Sequence, residues 1–261
     1  MKHLFAIAAF VSFAAAGSAT VATFHDNTFP PSANGIMPSN LQLVSTAGTG
    51  GSAVVKSFSA AGLPSDHTGG DGYVLEISTP TSSGSWSFLV PAGYNSVSVA
   101  QQRVTCWIYI NLTGVTEEKS YGLFTDMTAV TSYPTGYFGA AATASSSWGG
   151  WAPTNSTPFL LARPTGSTSW TQINANSGYT VADGWHLMTL TYQGGTLTST
   201  LDGTQVCSGA STAVASGWYS FGVYVDPGNA GSKIIIDNFK MENLNAPDYS
   251  VSAATDWNAL Q

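Results

Sequence analysis

The sequence predicts an all-β chain folded as a two-sheet antiparallel β-sandwich. The segment 184–206 reads as consecutive strands joined by two turns, because Gly194-Gly195 and Asp202-Gly203 are dipeptides that adopt the positive φ of tight hairpins. Short runs of β-branched and aromatic residues recur elsewhere between Gly, Pro and Asn. No segment has the periodicity of an amphipathic helix. These observations together favour antiparallel sheets.

The strands follow in chain order from these runs. A first strand is predicted near 22–24, followed by Pro-, Gly- and Ser-rich loops up to residue 52. The region 131–158 scatters its aromatic residues among Gly, Ser, Thr and Pro with little alternation, so one or two long loops or a ragged edge hairpin are predicted there. The remaining strands are predicted at 54–58, 73–78, 85–90, 104–112, 121–125, 159–163 and 185–192.

Two of these strands have a clear division of faces, because successive side chains of a strand point to opposite sides. Trp107, Tyr109 and Trp185 are predicted on the faces turned away from the core. The residues predicted to face the core are Val104, Cys106, Ile108 and Ile110 on one strand and Met188, Leu190 and Tyr192 on the other.

Two cysteines, Cys106 and Cys207, fit an oxidising compartment, where a pair can form a disulfide. Strand parity opposes a bridge: if Val206 faces the core, Cys207 points the opposite way, and the two Cβ atoms do not converge. The sequence does not decide whether this disulfide forms. Neither thiol has the spacing of a zinc site.

The first nineteen residues have one Lys, a short apolar stretch and small residues at the end. This pattern indicates an export signal cut after Ala19, with a retained membrane anchor as the alternative. The rest of the chain is long enough for one large sandwich, predicted at 20–245, followed by a tail at 246–261. The expected location is therefore secreted, extracellular or at the cell surface.

Charged residues make up only 8% of the chain, against about 25% in ordinary globular proteins. The formal net charge is −7, and no basic stripe is present to neutralise phosphates. Nucleic acid and anionic membranes are therefore excluded as expected partners. The surface must be covered by Ser, Thr, Asn, Gln and Gly, which suits sugars and neighbouring subunits.

The segment 184–206 and two further segments resemble the laminin-G-like branch of the concanavalin A-like jelly rolls, which include lectins and glucanases. Trp185-His186 opens a strand as in that family, and Leu201-Asp202-Gly203 matches its Tyr-x-Asp-Gly pattern in part, with Leu replacing the aromatic residue. The segments 104–110 and 234–240 are similar to its early Trp-bearing strand and its closing Ile-Asp strand. The resemblance implies a jelly-roll sandwich and no single function, because this fold hosts many.

The catalytic motifs of that superfamily are not present in the sequence. Laminarinase-type enzymes place Glu-x-Asp-x-Glu on one strand face, whereas the close pair Glu117-Glu118 points to opposite sides of any strand. Alginate lyases use a Gln-x-His motif, and neither His25, His67 nor His186 has it; His186 is expected to be structural. No Gly-x-Ser-x-Gly elbow occurs. We therefore expect a protein that is not an enzyme.

Exposed rings are the better functional candidates. Trp107, Tyr109 and Trp185 would line a sugar-binding groove if their strands belong to the concave sheet, because pyranose CH faces pack on aromatic rings. The alternative is that these rings pack beneath loops. Trp148 and Trp151, separated by two glycines, are predicted to be covered by a glycan, by a partner subunit or by the protein itself.

A structural calcium ion is the one cofactor that the resemblance implies. Related modules hold Ca²⁺ between an acidic residue near the first strand and the Asp of the closing strand, which supply fixed oxygens. Asp237 matches the closing position, and Asp26 is the candidate near the first strand, although it follows His25 where the family has Glu.

These observations favour a secreted, non-catalytic, lectin-like jelly-roll protein whose partner is a neutral polysaccharide or glycan. The alternative is a structural or adhesive subunit of an extracellular filament or surface layer, because low charge and abundant Ser, Thr and Gly suit copies that pack against each other. A glycoside hydrolase or polysaccharide lyase with an unfamiliar site is the third hypothesis.

Overall fold

A computed structural model describes residues 20–27, 29, 31–39, 41–45, 52–67, 70–78, 86–91, 101–113, 119–127, 136–144, 157–164, 166–211, 218–225 and 233–246. Within these residues the chain forms fifteen strands and a short 3-10 turn at Pro31–Ala33. The strands pair antiparallel in two sheets, which confirms the predicted all-β sandwich. No helix in this described part is both long and apolar enough to cross a membrane.

The first sheet has eight strands and carries the site described below. Its order is β13-β12-β11-β6-β15-β4-β3, with β1 also paired to β15. These strands are β1 (Thr20–Asn27), β3 (Ser52–Ser57), β4 (Tyr73–Ser78), β6 (Gln102–Ile110), β11 (Gly184–Gln193), β12 (Thr196–Leu201), β13 (Thr204–Ala210) and β15 (Lys233–Ala246).

The second sheet has seven strands in the order β10-β9-β8-β7-β14-β5-β2. They are β2 (Leu41–Ser45), β5 (Trp86–Pro91), β7 (Lys119–Met127), β8 (Gly136–Ala144), β9 (Phe159–Arg163), β10 (Thr171–Ala175) and β14 (Trp218–Val225). The strands β10 and β13, at the ends of the two sheets, contact each other.

The strand β15 divides one of its edges between two partners. Residues 233–236 pair with β4, whereas residues from Phe239 onward pair with β1. The register with β6, on the other edge, shifts between Asp237 and Lys240, and Asn238 has a φ of +48°. This local kink is a β-bulge, a feature that redirects side chains within a sheet.

Both predicted hairpin turns are confirmed. Gly194 and Gly195 join β11 to β12, and Asp202 and Gly203 join β12 to β13. All four residues have positive φ, from +50° to +79°, which is the geometry of a type I′ turn.

The core between the sheets follows the predicted alternation. In β6 every second side chain is fully buried, from Val104 to Ile110, and Met188 and Leu190 face the same interior from β11. Tyr192 is only partly buried but packs on this core, where its ring stacks on Tyr137 at 4.7 Å. Each such aliphatic side chain contributes about 1.5–3 kcal/mol when it leaves water.

The prediction for the region 131–158 is wrong where the structure describes it. Strand β8 (Gly136–Ala144) lies inside the second sheet between β7 and β9. Its residues 136–142 are all buried, so buried residues do not alternate with exposed polar ones along the strand. A central strand was therefore not recognisable from this Gly- and Ala-rich sequence. Strands β2, β10 and β14 were also not predicted.

Both thiols are buried and unbridged. The expectation that Cys207 points away from the core is wrong, because a register shift in β13 next to Val206 lets both residues face inward. Burial raises the pKa of Cys106 well above its ordinary value and raises that of Cys207 to about 11.

Candidate functional site

Part of the outer face of the first sheet is covered by described residues of the loop between β3 and β4. This loop folds on itself, since Leu63 N–H donates to Phe58 O at 3.0 Å and Phe58 N–H donates to Gly72 O at 3.0 Å. The Asp66 carboxylate accepts the N–H groups of His67 and Gly72, each at 2.7 Å. These hydrogen bonds give the loop a defined conformation, which holds His67 in place.

His67 reaches down from this loop to the kink in β15. Its Nε2 lies 2.8 Å from Asp237 Oδ2, and both side chains are only 2% exposed. The other carboxylate oxygen, Oδ1, accepts the N–H of Asn238 at 2.7 Å. The β-bulge therefore supplies one partner of the buried carboxylate and the loop supplies the other.

Two tryptophans hold the His67 ring. Trp107 of β6 stacks on it with 4.5 Å between ring centroids and 8° between planes, and Trp185 of β11 meets it edge-on at 5.4 Å. Trp185 also donates from Nε1 to Ser65 O at 2.9 Å. These two candidate ligand-binding rings lie half-buried under the loop, which is the alternative arrangement stated above.

Tyr109 is placed differently, at the border of the covered region. It pairs across the sheet with Trp185, and their rings meet edge-on at 5.5 Å. It also lines an open cleft of about 170 Å³ at the end of β6. The cleft is lined by Ala61, Gly62, Leu63, Tyr109, Asn111, Tyr121, Lys233 and Ile235.

The walls of this cleft combine aromatic and apolar side chains with polar groups. Asn111 is exposed, and its backbone carbonyl accepts the Tyr121 hydroxyl at 2.5 Å. Lys233 Nζ lies 3.2 Å from Glu76, which also pairs with Lys56 at 2.7 Å. Trp148 and Trp151 lie outside the described residues, so their predicted role stays a prediction.

The Asp237 carboxyl has a perturbed pKa. Burial raises it to about 6, while the hydrogen bonds from His67 and Asn238 act in the opposite direction and nearby Asp71 adds to the rise.

We predict that the stability supplied by Asp237 falls as pH rises from about 4 to about 6. An unfolded Asp carboxyl titrates near pH ~4, so in this window the folded state keeps a proton that the unfolded state has released. Urea unfolding of the wild type and of Asp237→Asn across pH 4–7 measures this. The wild type should lose stability relative to the variant as pH rises, and parallel curves would contradict the prediction.

The calcium prediction concerns the same carboxylate. Asp66, His67 and Asp237 place their ligand atoms within 4.8 Å of one another. This described set offers one imidazole nitrogen and two carboxylates, whereas Ca²⁺ takes six to eight oxygens, so it does not fit calcium by itself. The backbone of Asp26 in β1 pairs with Lys240 in β15, but the Asp26 side chain lies outside the described part. The site with Asp26 stays a prediction.

Sequence reasoning missed the roles of Asp66 and His67. His67 was only one of several histidines without a lyase motif, and its partner Asp237 lies 170 residues away. His186 does have the expected structural role: Nδ1 lies 2.8 Å from Asp202 and Nε2 3.0 Å from Ala182 O, which ties β11 to the neighbouring turn.

No protein-family model and no curated protein matches this chain. Among solved structures, the CBM2 module of the evolved Dit of Lactobacillus casei BL23 phage J-1 is similar at 13% identity, with 88% of this chain and 98% of that one covered and a TM-score of 0.50. Domain 4 of AbnA, a GH43 extracellular arabinanase from Geobacillus stearothermophilus, was solved in complex with arabinotriose. It is similar at 15% identity, with 85% of this chain and 93% of that domain covered and a TM-score of 0.49.

The class that these observations define is the two-sheet antiparallel β-sandwich domain. The phage module shows that the fold is shared, while a shared fold does not by itself transfer a function.

Proposed function

We propose that this chain is a secreted, non-catalytic β-sandwich module that binds neutral carbohydrate, and that the Tyr109 cleft holds a sugar ring. The observation that carries the proposal is the position of Tyr109 on an open cleft, which it lines together with apolar side chains and with the polar residues Asn111 and Lys233. The phage and arabinanase domains named above are described as a carbohydrate-binding module and as an arabinotriose complex.

The cleft has the chemistry that a pyranose or furanose ring needs. An aromatic face packs against sugar CH groups, and Tyr109 supplies that face. The exposed amide of Asn111 can both donate to and accept from hydroxyl groups. The volume of about 170 Å³ is below the roughly 300–1,000 Å³ of pockets for drug-sized ligands. It therefore suits one sugar residue of a longer chain.

The charges around the cleft favour a neutral sugar. Lys233 is the cationic residue of the lining, and Glu76 lies 3.2 Å from its ammonium group. Glu76 is buried and bridges Lys233 to Lys56, so its carboxylate is held in place. With a net charge of −7 on the whole chain, a uronate or sulfated polymer would be repelled rather than attracted.

The buried His67–Asp237 pair supports a non-catalytic role. A general acid or base must come within hydrogen-bond reach of the substrate. These two side chains are 2% exposed and lie beneath the β3–β4 loop, with Trp107 against the imidazole. Their geometry joins the loop to the sheet, and a substrate in the Tyr109 cleft would meet Tyr109 and Asn111 instead.

Tyr109→Ala is expected to weaken binding of a neutral polysaccharide by on the order of 1–2 kcal/mol, because the stacking ring is removed. Tyr109→Phe keeps the ring and should bind nearly as the wild type does. Isothermal titration against soluble arabinan, xylan, mannan and β-glucan measures the affinity, and thermal melts check folding.

Gln193→Ala is the control for this experiment, because Gln193 is exposed at the hairpin turn and far along the sheet from the cleft. It should leave the affinity unchanged. A wild-type protein that binds none of these glycans, or a Tyr109→Ala variant with unchanged affinity, would overturn the proposal.

A further inference from the structure

A second opening lies at the end of the sandwich where β10 and β13 meet. It is a groove of about 450 Å³. Four consecutive residues of each side form its walls, 174–177 from the end of β10 and 205–208 from β13. Since β10 and β13 are the end strands of the two sheets, the groove follows the seam between them.

Side-chain amides hold the seam at a fixed width. Asn174 donates from Nδ2 to Ser208 O at 2.9 Å, and Asn176 donates from Nδ2 to Val206 O at 2.8 Å. Both bonds run from one sheet to the other, so they replace the backbone ladder that a continuous sheet would have. Gly209 lets the strands approach closely, because a Cβ there would lie 2.3 Å from Ile173 Cγ2. The groove is therefore preformed.

The lining is polar and uncharged. It contains three amide side chains and two hydroxyls, with Ala175, Val206 and Cys207 as the remaining residues; the polar ones are Asn174, Asn176, Ser177, Gln205 and Ser208. Both asparagine amides are bonded across the seam, and Ser208 Oγ lies 3.3 Å from Thr198 Oγ1, so Ser177 and Gln205 are the main groups for a ligand. Ser177 and Gln205 are exposed at its rim. Amides and hydroxyls without a charge match a ligand that is itself dense in neutral donors and acceptors.

We propose that this groove is a second carbohydrate subsite, which takes a short stretch of a neutral glycan through amide and hydroxyl hydrogen bonds without ring stacking. The proposal rests on the proposed function and extends it. The groove has more than twice the volume of the Tyr109 cleft and falls within the roughly 300–1,000 Å³ typical of ligand sites. It therefore has room for more than one sugar residue.

The groove borders the first sheet at β13, away from the Tyr109 cleft. β13 is three strands from β6, an offset across the sheet of about 14 Å at roughly 4.8 Å per strand. The pairings place Cys207 level with Val104, about 17 Å along β6 from Tyr109 at roughly 3.4 Å per residue. A polysaccharide long enough to reach both subsites would bind more tightly than a trisaccharide, because the second contact is intramolecular.

The experiment follows binding at both subsites by NMR in an isotope-labelled protein titrated with xylotriose, arabinotriose, mannotriose and cellotriose. The groove proposal predicts that at least one of these shifts the amide signals of residues 174–177 and 205–208. In Tyr109→Ala those groove shifts should persist. In Gln205→Ala and in Ser177→Trp, which fills the groove, they should weaken at least several-fold while the Tyr109 signals still respond.

The matched control is Gln193→Ala, an exposed glutamine outside both subsites, which should titrate as the wild type does. Ligand shifts confined to the Tyr109 cleft would overturn the groove and leave the proposed function standing. Shifts confined to the groove would support the groove and overturn the assignment of the cleft. Groove shifts that Gln205→Ala and Ser177→Trp leave unchanged would also overturn the groove.

Discussion

Asp237→Ala is expected to lower the free energy of unfolding by about 3–5 kcal/mol, because it breaks a buried His–Asp pair from one side. His67 Nε2 and the N–H of Asn238 would both lose their acceptor in a place that water does not reach. A buried donor without a partner costs about 1–3 kcal/mol. Urea unfolding followed by tryptophan fluorescence measures the loss, and Trp107 and Trp185 beside the pair should make the signal sensitive to it.

A double-mutant cycle with His67→Ala measures the interaction energy between His67 and Asp237 apart from their other contacts. The sum of the losses in unfolding free energy of the two single variants should exceed the loss in the double variant, since residues in contact are coupled. The control is the His186–Asp202 pair, which has the same 2.8 Å separation but an Asp side chain that is 48% exposed. His186→Ala should cost only about 1 kcal/mol, as exposed pairs do. Additive losses for His67 and Asp237 would show that the pair is not the source of the stability.

Gly122→Ala is expected to destabilise the protein by about 3 kcal/mol or more. A Cβ at this position in β7 would lie 2.2 Å from Gly139 O and 2.9 Å from Ala140 Cα, and both atoms belong to the backbone of β8. Backbone cannot move aside as a flexible side chain can, so the two strands would have to separate. Both strands lie inside the second sheet, so the disturbance would reach the core.

Chemical denaturation of Gly122→Ala beside Gly178→Ala tests this prediction. Gly178 is exposed, and a Cβ there would meet only Asn176 Oδ1 at an ordinary 3.6 Å. The Gly178 variant should therefore stay within about 0.5 kcal/mol of the wild type, as most surface changes do. A Gly122 variant that is equally stable would mean that β7 and β8 do not approach as closely as described.

The parts of the fold that sequence reasoning predicted are those that local chemistry determines. The turn dipeptides at 194–195 and 202–203 require positive φ wherever they occur, so both hairpins were predicted correctly. The alternation in β6 likewise assigned its two faces. In contrast, β8 is buried on both faces and built from small residues, so it has no alternation to detect.

The candidate site was predicted only in part, because its geometry depends on residues far apart in the chain. Parity correctly put Trp107, Tyr109 and Trp185 on the outer face of the first sheet. It could not predict that the β3–β4 loop would cover two of them, since a loop has no periodicity. The contact between His67 and Asp237 joins that loop to the last strand, and neither residue carries a signal of the other.

The last strand of the chain also determines when the fold can be completed. β15 lies inside the first sheet and pairs with β6, β4 and β1, so that Asn27, near the beginning of the described chain, meets Phe239 near its end. Closing such long loops costs chain entropy before any contact compensates for it, which slows folding. A chain that is still being synthesised lacks this central strand, and its first sheet is left as three parts: the four strands β13-β12-β11-β6, the pair β4-β3, and β1. The first sheet therefore becomes continuous only when β15 pairs with its three neighbours.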